Sequence, residues 1–249
     1  MGEFLSAEWR YLAMLNYRVP PEWLTSFVPK GTELDLWDGI AYVSLVGFHF
    51  RDTRLLGVPI PFHRTFEEVN LRFYVRRVVN GELRRGVTFL RELVPLPAIA
   101  FVAQLTYNEP YRALPMRHRI DVAAPDATPT VVEYGWKAAS AWSRIRVEPT
   151  GAPTPLRPGS EEEFITQHFW GYTRQRDGST VEYEVRHQPW KVWRLQSADL
   201  EDDSSVFDAP FAGALRRAPY SAFLADGSAV RLYSPTRMKG EGEGEGAKQ

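Results

Sequence analysis

The amino-acid sequence predicts a mainly β protein, an antiparallel barrel or sandwich with a few short helices at its edges. The first observation is that apolar, alternating stretches are joined by Asx-Gly pairs, which favour two-residue hairpin loops because both central residues take positive φ. The second is that neither a repeat of about 20–50 residues nor a regular alternation of strands with long helices runs through the chain. The pairs are Asp38-Gly39, Asn80-Gly81, Asp177-Gly178 and Asp226-Gly227.

The sequence of residues 9–50 predicts three strands and a short helix. Pro20-Pro21 ends the first strand and opens a short helix at residues 22–27, since proline is favoured in the first turn of a helix. The third strand is apolar on both of its alternating faces, which is typical of a strand covered on both sides. The last two strands form a hairpin, and a Pro-rich loop then carries His63 toward the next one. The three strands lie at residues 9–19, 34–37 and 40–50.

The central element is a hairpin at residues 65–93 that turns at Asn80-Gly81. In its first strand the odd positions are mainly apolar and the even positions are polar, and a period of two sends these sets to opposite faces of a sheet. A regular two-residue turn sets Asn70 opposite Arg91, so Arg91 is expected to join the polar face. That face then holds Glu68, Asn70, Arg72 and Arg91.

Beyond the central hairpin the sequence predicts two helices and further hairpins. A helix at residues 98–107 has Pro97 near its start. Ser160 and Glu163 form a capping box that starts a second helix, which runs through about His168. Strands are predicted at residues 116–123, 130–137, 141–148, 170–176, 180–187, 220–224 and 229–233, with a Pro-rich loop at 149–158 and a Pro-interrupted edge at 188–193.

Composition gives no electrostatic argument for a nucleic-acid or membrane partner. The 249 residues, enough for one all-β domain or two ordinary ones, carry a net charge of -1 with 44% hydrophobic and 24% charged residues. The absence of Cys excludes disulfides, thiol catalysis and thiolate metal ligands. No apolar run approaches the roughly 20 residues of a membrane span, and the N-terminus lacks a secretion signal, so we expect a cytoplasmic protein.

Catalytic and cofactor motifs with fixed spacing are absent from the sequence. The five histidines form neither His-x-x-x-His nor His-Glu-x-x-His, so no metal site is predicted, although one assembled from distant His and Glu residues stays open. There is no Gly-x-Ser-x-Gly elbow, dinucleotide-binding glycine motif or phosphate loop, so no serine nucleophile and no cofactor is predicted. His63 is the histidine best placed to reach the mouth of a cavity, because it lies just before the central hairpin.

Five motifs stand out along the chain: FLSAEWR at 4–10, LDLWDG at 34–39, SLVGF at 44–48, FEEVNLR at 66–72 and HFWGYT at 168–173. They resemble the signatures of the YqjF-like family of uncharacterised proteins (domain of unknown function 2071), and the resemblance runs over about residues 4–237. This family is similar in fold to acetoacetate decarboxylase. The resemblance therefore implies a single domain, here residues 1–238: a large antiparallel β-barrel around a central cavity, flanked by further strands and short peripheral helices. It implies no established activity. Residues 239–249 repeat Gly-Glu and are expected to form a disordered tail.

The likeness to acetoacetate decarboxylases gives a sharper expectation about chemistry. Those enzymes carry an Arg-Glu pair followed, several residues on, by a proline and a Schiff-base lysine, and residues 91–99 are similar to that segment. Arg91, Glu92 and Pro97 match, whereas Ala98 and Ile99 stand where the two lysines would be. A Schiff base needs an amine, so we do not expect a Schiff-base acetoacetate decarboxylase.

The sequence supports two functional hypotheses. In the first, a central cavity binds a small, anionic organic molecule such as a carboxylate, which two arginines hold bidentately beside a carboxylate base. In the second, the chain is a non-catalytic scaffold or a homo-oligomeric structural protein whose barrel is filled by side chains. Glu92 faces away from Arg91 in a regular strand, so both can line the cavity only if the strand contains a bulge. The candidates are Glu68 and Glu92 for catalysis, and Asn70, Arg72, Arg91 and His63 for ligand binding.

Overall fold

The computed structural model describes residues 2–124, 127–138, 140–201 and 206–238. The tail predicted at residues 239–249 lies outside this range. The strands are β1 Glu3–Val19, β2 Glu33–Leu34, β3 Ala41–Leu55, β4 Val58–Pro59, β5 Phe66–Val79, β6 Glu82–Val94, β7 Tyr111–Ala113, β8 Met116–Asp121, β9 Val131–Ala138, β10 Ala141–Pro155, β11 Trp170–Arg174, β12 Thr180–His187, β13 Lys191–Glu201, β14 Ser221–Tyr233 and β15 Thr236–Arg237. The α-helices are α1 Pro97–Tyr107, α2 Glu161–Thr166 and α3 Phe211–Leu215, and two 3-10 turns are Pro21–Trp23 and Thr25–Phe27.

Seven strands pair into a closed ring, which confirms the mainly β prediction. Going around the ring, β1 pairs with β3, β3 with β5, β5 with β6, β6 with β11, β11 with β12, β12 with β14 and β14 with β1. Strands β13, β10, β9 and β8 extend the sheet from β14. The prediction of an antiparallel sheet throughout is wrong, because β6 pairs in parallel with both β11 and β7. Long connections between these strands allow the parallel pairing.

The central hairpin forms as predicted, but its register shifts along the second strand. Asn80 and Gly81 have φ values of 51° and 81°, and the strands pair from the turn outward. Between Leu71, which pairs with Arg91, and Arg72, which pairs with Phe89, a bulge inserts Leu90. Asn70 therefore lies opposite Glu92 rather than Arg91, so the predicted Asn70–Arg91 register is wrong. Because side chains alternate along a strand, one inserted residue moves every later side chain to the other face.

Strand β3 is covered on both faces, as its two apolar faces predict. All residues from 41 to 50 are buried. Val46 and Phe48 belong to the apolar cluster inside the ring. Val43 and Leu45 belong to a second cluster, between the ring and the extension of the sheet, which contains Trp136. A second layer of sheet therefore covers this side of the ring and separates it from solvent.

Two predicted loops are strand in the structure. The Pro-rich stretch predicted as a loop at residues 149–158 instead continues β10 as far as Pro155, with register shifts that accommodate the prolines. Asp226-Gly227, predicted as the turn of a last hairpin, lies inside β14, where Gly227 pairs with Arg10 of β1. The pairing partner for both stretches is distant in sequence, which is why local turn signals misassigned them.

The helices follow their predicted starts. Helix α1 begins at Pro97 and ends at Tyr107, and the capping residue Asn108 has a φ of 56°. At α2 the Ser160 hydroxyl accepts a hydrogen bond from the backbone N–H of Glu163 at 3.2 Å, and the Glu163 carboxylate accepts one from the Gly159 N–H at 2.7 Å. In place of the predicted helix at residues 22–27, two 3-10 turns occur. Within the described ranges no helix combines the length and the apolar character needed to cross a membrane.

Candidate functional site

The inside of the ring holds a cavity of about 260 Å³ to which all seven ring strands contribute lining residues. Most of its wall is apolar, and a smaller set of buried polar side chains faces it. Ala98, which is exposed, and His63, which is half-buried, also line the cavity, so we place the mouth between α1 and the loop before β5. The apolar wall includes Leu12, Val46, Phe48, Phe66, Phe89 and Trp170.

Strand β5 directs three of the predicted site residues into this cavity. Glu68, Asn70 and Arg72 occupy alternate positions on the face that lines it, and each is at most 8% exposed. The alternating pattern recognised in the sequence determines this placement, because every second side chain of a strand points to the same face. His63 is held at the mouth, with its Nδ1 atom 2.8 Å from the carbonyl oxygen of Pro61.

The bulge on β6 exchanges the positions expected for Arg91 and Glu92. Glu92 lines the cavity and is 1% exposed. Arg91 is not among the lining residues, and its Nη2 atom forms an ion pair with the exposed Asp208 at 2.9 Å. The expectation that Arg91 shares a face with Arg72 is therefore wrong. Leu90, the inserted residue, is the physical reason.

Three buried carboxyl groups meet at one end of the cavity, near its mouth. Glu68 accepts hydrogen bonds from the Asn70 amide at 3.0 Å and from the Tyr111 hydroxyl at 3.3 Å. Glu109 accepts one from the Tyr183 hydroxyl at 2.5 Å. The Oε2 atom of Glu92 is buried and has no hydrogen-bond partner among the described residues. The group Glu68, Glu92 and Glu109 is called the acidic cluster below.

Burial changes the protonation of the acidic cluster. It raises the pKa of Glu68 to about 7, and the charge of Glu109 adds to the rise while the Asn70 amide opposes it. Burial also raises the pKa of Glu109 to about 7 against its hydrogen bonds from Tyr183 and Thr173. The pKa of Glu92 lies well above its usual value, because burial and then the charges of Glu109 and Glu68 disfavour ionisation. Near neutral pH Glu68 and Glu109 can therefore both give and accept protons.

The other polar part of the cavity is cationic. Arg72 lies four residues beyond Glu68 on the same strand, which separates their Cα atoms by roughly 13 Å. Its Nη2 atom donates to the carbonyl oxygen of Ile165 at 3.4 Å, and its Nε atom is buried without a hydrogen-bond partner among the described residues. His168 lines the cavity nearby, and its Nε2 atom lies 3.2 Å from a carboxylate oxygen of Asp35.

Sequence reasoning did not single out several of these residues. Glu109, Tyr111 and Tyr183 carry no local signal, since they follow or lie within ordinary elements and meet only through the ring. Asp35 and His168 do stand in two of the motifs quoted above, at 34–39 and 168–173. A polar side chain among the apolar residues of these motifs is the signal that could have identified them.

The cavity offers neither a Schiff-base amine nor a ready metal site. Ala98 and Ile99, at the two positions where the decarboxylase-like segment would carry lysine, both line it, and no described lining residue is a lysine. In the part of the chain that the structure describes, no three His, Asp or Glu side chains are grouped so as to hold a metal ion. The polar side chains that line the cavity carry carboxyl, amide, guanidinium, imidazole and hydroxyl groups.

Known structures share this fold. The chain is similar to acetoacetate decarboxylase from Legionella pneumophila, with a TM-score of 0.66 and 12% identity over 95% of this chain and 87% of that one. An acetoacetate decarboxylase-like enzyme from Sphingomonas wittichii RW1 matches with a TM-score of 0.64 and 13% identity over 96% and 94% of the two chains. The enduracididine biosynthesis enzyme MppR complexed with pyruvate matches with a TM-score of 0.62 and 14% identity over 95% and 91%. At these identities the likeness shows the fold alone.

Sequence comparison gives the family. The uncharacterised protein YqjF of Bacillus subtilis (strain 168) is 26% identical over 194 residues, which are 78% of this chain and 75% of that protein. The family model DUF2071, described as an uncharacterised conserved protein, matches residues 6–229. This range includes most of β1 and β14, the other five strands of the ring and every polar residue that lines its cavity. The chain therefore belongs to the DUF2071 family, and it has an acetoacetate decarboxylase-like fold.

Proposed function

We propose that this protein binds a small organic anion inside the ring, with the carboxylate of the ligand held by Arg72. The observation that carries the proposal is a guanidinium group that is buried in the cavity wall with its Nε atom unpartnered among the described residues. Arginine keeps its charge at all ordinary pH values, and a buried charge is costly unless it is paired. A ligand carboxylate would supply that partner through charge-assisted hydrogen bonds.

Two further observations support an open, ligand-binding ring over a filled one. The cavity of about 260 Å³ leaves room for a small ligand inside the closed ring of strands. One structure of similar fold, MppR, is complexed with pyruvate, itself a small carboxylate. The scaffold hypothesis would instead require the space between Glu68 and Arg72 to be packed with side chains.

We infer acid/base chemistry at the opposite end of the same ligand. Glu68 is the candidate base, because a pKa of about 7 lets a carboxyl group gain or lose a proton near neutral pH. Asn70 orients it through the 3.0 Å hydrogen bond to Oε1. Glu92 is the second candidate, and His63 lies where a ligand would enter. With Ala98 and Ile99 in place of lysines, this chemistry would proceed without a Schiff base.

Arginine-to-glutamine variants test the anion site. We expect a panel of small monocarboxylates and keto acids to contain at least one that raises the melting temperature of the wild type by several degrees, because a ligand that binds only the folded state stabilises it by mass action. Arg72→Gln should lose that response. Arg91→Gln is the matched control, because Arg91 lies one strand away and pairs outside the cavity. The proposal fails if no acid shifts the wild type, or if Arg72→Gln responds as the control does.

The affinity for such an acid should rise as the pH falls from 8 to 6. The acidic cluster faces the ligand, and Glu68 and Glu109 become neutral across this range, since burial raises the pKa of each to about 7. The ligand itself stays anionic. If one cluster proton is taken up on binding, the dissociation constant should change by up to about tenfold per pH unit above that pKa. Titration calorimetry in buffers of different ionisation enthalpy measures the uptake. Tighter binding of the acid at pH 8 would contradict its placement beside the acidic cluster.

A further inference from the structure

A buried hydrogen-bonded chain of three residues places a histidine at the cationic part of the cavity. His168 has a side chain only 1% exposed, and its Nε2 atom lies 3.2 Å from Oδ2 of Asp35. The same oxygen accepts a hydrogen bond from Nε of Arg85 at 2.6 Å. Asp35 is itself buried, with a side chain 3% exposed. The ring of His168 is therefore held by a carboxylate that is in turn held by an arginine.

This arrangement determines which nitrogen of His168 carries the proton. Burial opposes ionisation of Asp35, but hydrogen bonds from His168 and Arg85 outweigh it and hold the pKa of Asp35 below its usual value. An ionised carboxylate can only accept, so Nε2 must be the protonated nitrogen. Burial lowers the pKa of His168 to about 4, so the ring is neutral and Nδ1 carries a lone pair. This Nδ1 atom is buried and has no hydrogen-bond partner among the described residues.

The ring that carries this nitrogen and the guanidinium of Arg72 both contact Tyr74 and both belong to the wall of the cavity. The ring of His168 is 4.6 Å from the ring centroid of Tyr74, and the guanidinium carbon of Arg72 is 5.8 Å from the same centroid. Both His168 and Arg72 line the cavity. An acid that is held at Arg72 and extends toward His168 would meet an acceptor that needs a donor, because an unmet buried acceptor is costly.

We propose that His168 is a further ligand-binding residue, whose Nδ1 accepts a hydrogen bond from a hydroxyl group beside the carboxylate held by Arg72. The substrate class of the cavity would then be 2-hydroxy acids, in preference to the matching 2-oxo acids. The carbonyl oxygen of a 2-oxo acid and Nδ1 are both acceptors, so they would repel each other and form no hydrogen bond. This inference rests on the proposed function. A site built to hydrogen-bond a hydroxyl group discriminates against an analogue without it, and we expect a preference of about 10- to 100-fold.

Matched acid pairs test the preference. Titration calorimetry would compare lactate with pyruvate, and 2-hydroxybutyrate with 2-oxobutyrate, on the wild type and on His168→Phe. The wild type should bind each hydroxy acid more tightly, and His168→Phe should bind both members of a pair equally. If the wild type binds both members equally, the role of His168 is overturned and the anion site survives. If it binds none of the four, the 2-hydroxy-acid assignment is overturned, and the panel of acids on the wild type and Arg72→Gln decides the anion site.

A second measurement keeps the test independent of whether the variant folds. The chain has five histidines, so their ¹⁵N shifts can be assigned one by one in the wild type without ligand. We expect His168 to be neutral and protonated on Nε2 at pH 7, and its Nδ1 shift to move when a hydroxy acid binds. The inference is overturned if Nδ1 carries the proton, or if the ¹⁵N chemical shift of Nδ1 does not change when a hydroxy acid binds. Asp35→Asn can donate to Nε2 and should weaken the preference by stabilising the other tautomer.

Discussion

Replacing Gly227 by alanine should destabilise the fold by roughly 3 kcal/mol or more, because two penalties coincide there. Gly227 has a φ of 80°, a conformation that residues with a side chain rarely adopt. It also lies inside β14, where an added Cβ would overlap the carbonyl oxygen of Trp9 on β1. Backbone of a paired strand cannot move aside without breaking the ring. Urea unfolding followed by tryptophan fluorescence measures the loss.

Gly178→Ala is the matched control for this substitution. Gly178 has a similar φ of 82°, but nothing lies within 4 Å of a Cβ built on it. It should therefore lose only about 1 kcal/mol, the cost of the strained backbone alone. Equal losses at the two positions would mean that Asp226-Gly227 is an open hairpin turn, as local sequence patterns predict, and that β14 is not one continuous strand.

Glu68→Gln should raise the free energy of unfolding relative to the wild type by about 1 kcal/mol at pH 5 and by roughly 3 kcal/mol at pH 8. Burial raises the pKa of Glu68 in the folded state to about 7 from an ordinary value of 4.5. A group with a raised folded pKa contributes its full stability below its unfolded pKa and loses it as the pH rises through the folded pKa. Glutamine has the shape of the protonated acid and does not titrate, so it avoids that loss.

Urea unfolding at both pH values measures the difference in the free energy of unfolding between the variant and the wild type. Taking this difference cancels the contribution of His49 and His168, which stabilise the fold as the pH rises because burial lowers the pKa of each to about 4. Glu22→Gln, at an exposed residue, controls for the loss of a negative charge. If the difference in unfolding free energy between Glu68→Gln and the wild type is the same at pH 5 and pH 8, the pKa of Glu68 is not raised by burial.

The candidate site could be predicted in part because β5 is a regular strand. Its alternation assigns Glu68, Asn70 and Arg72 to one face without any knowledge of the partner strands. The prediction failed one strand away, since the bulge at Leu90 exchanges Arg91 and Glu92 between the two faces. Bulges depend on how two strands fit each other, and the sequence of one strand carries little trace of that fit.

The sequence by itself determined the features that depend on neighbours a few residues apart. These are the period-two faces of the central hairpin, its turn at Asn80-Gly81, the start of α1 at Pro97 and the family signatures. Only the tertiary structure decided that the sheet closes into a ring, that Glu109 and His168 face the same cavity as β5, and that Gly227 lies within a strand. Those features depend on pairings between residues far apart in the chain, and burial inside the closed ring then sets the protonation of the groups that meet there.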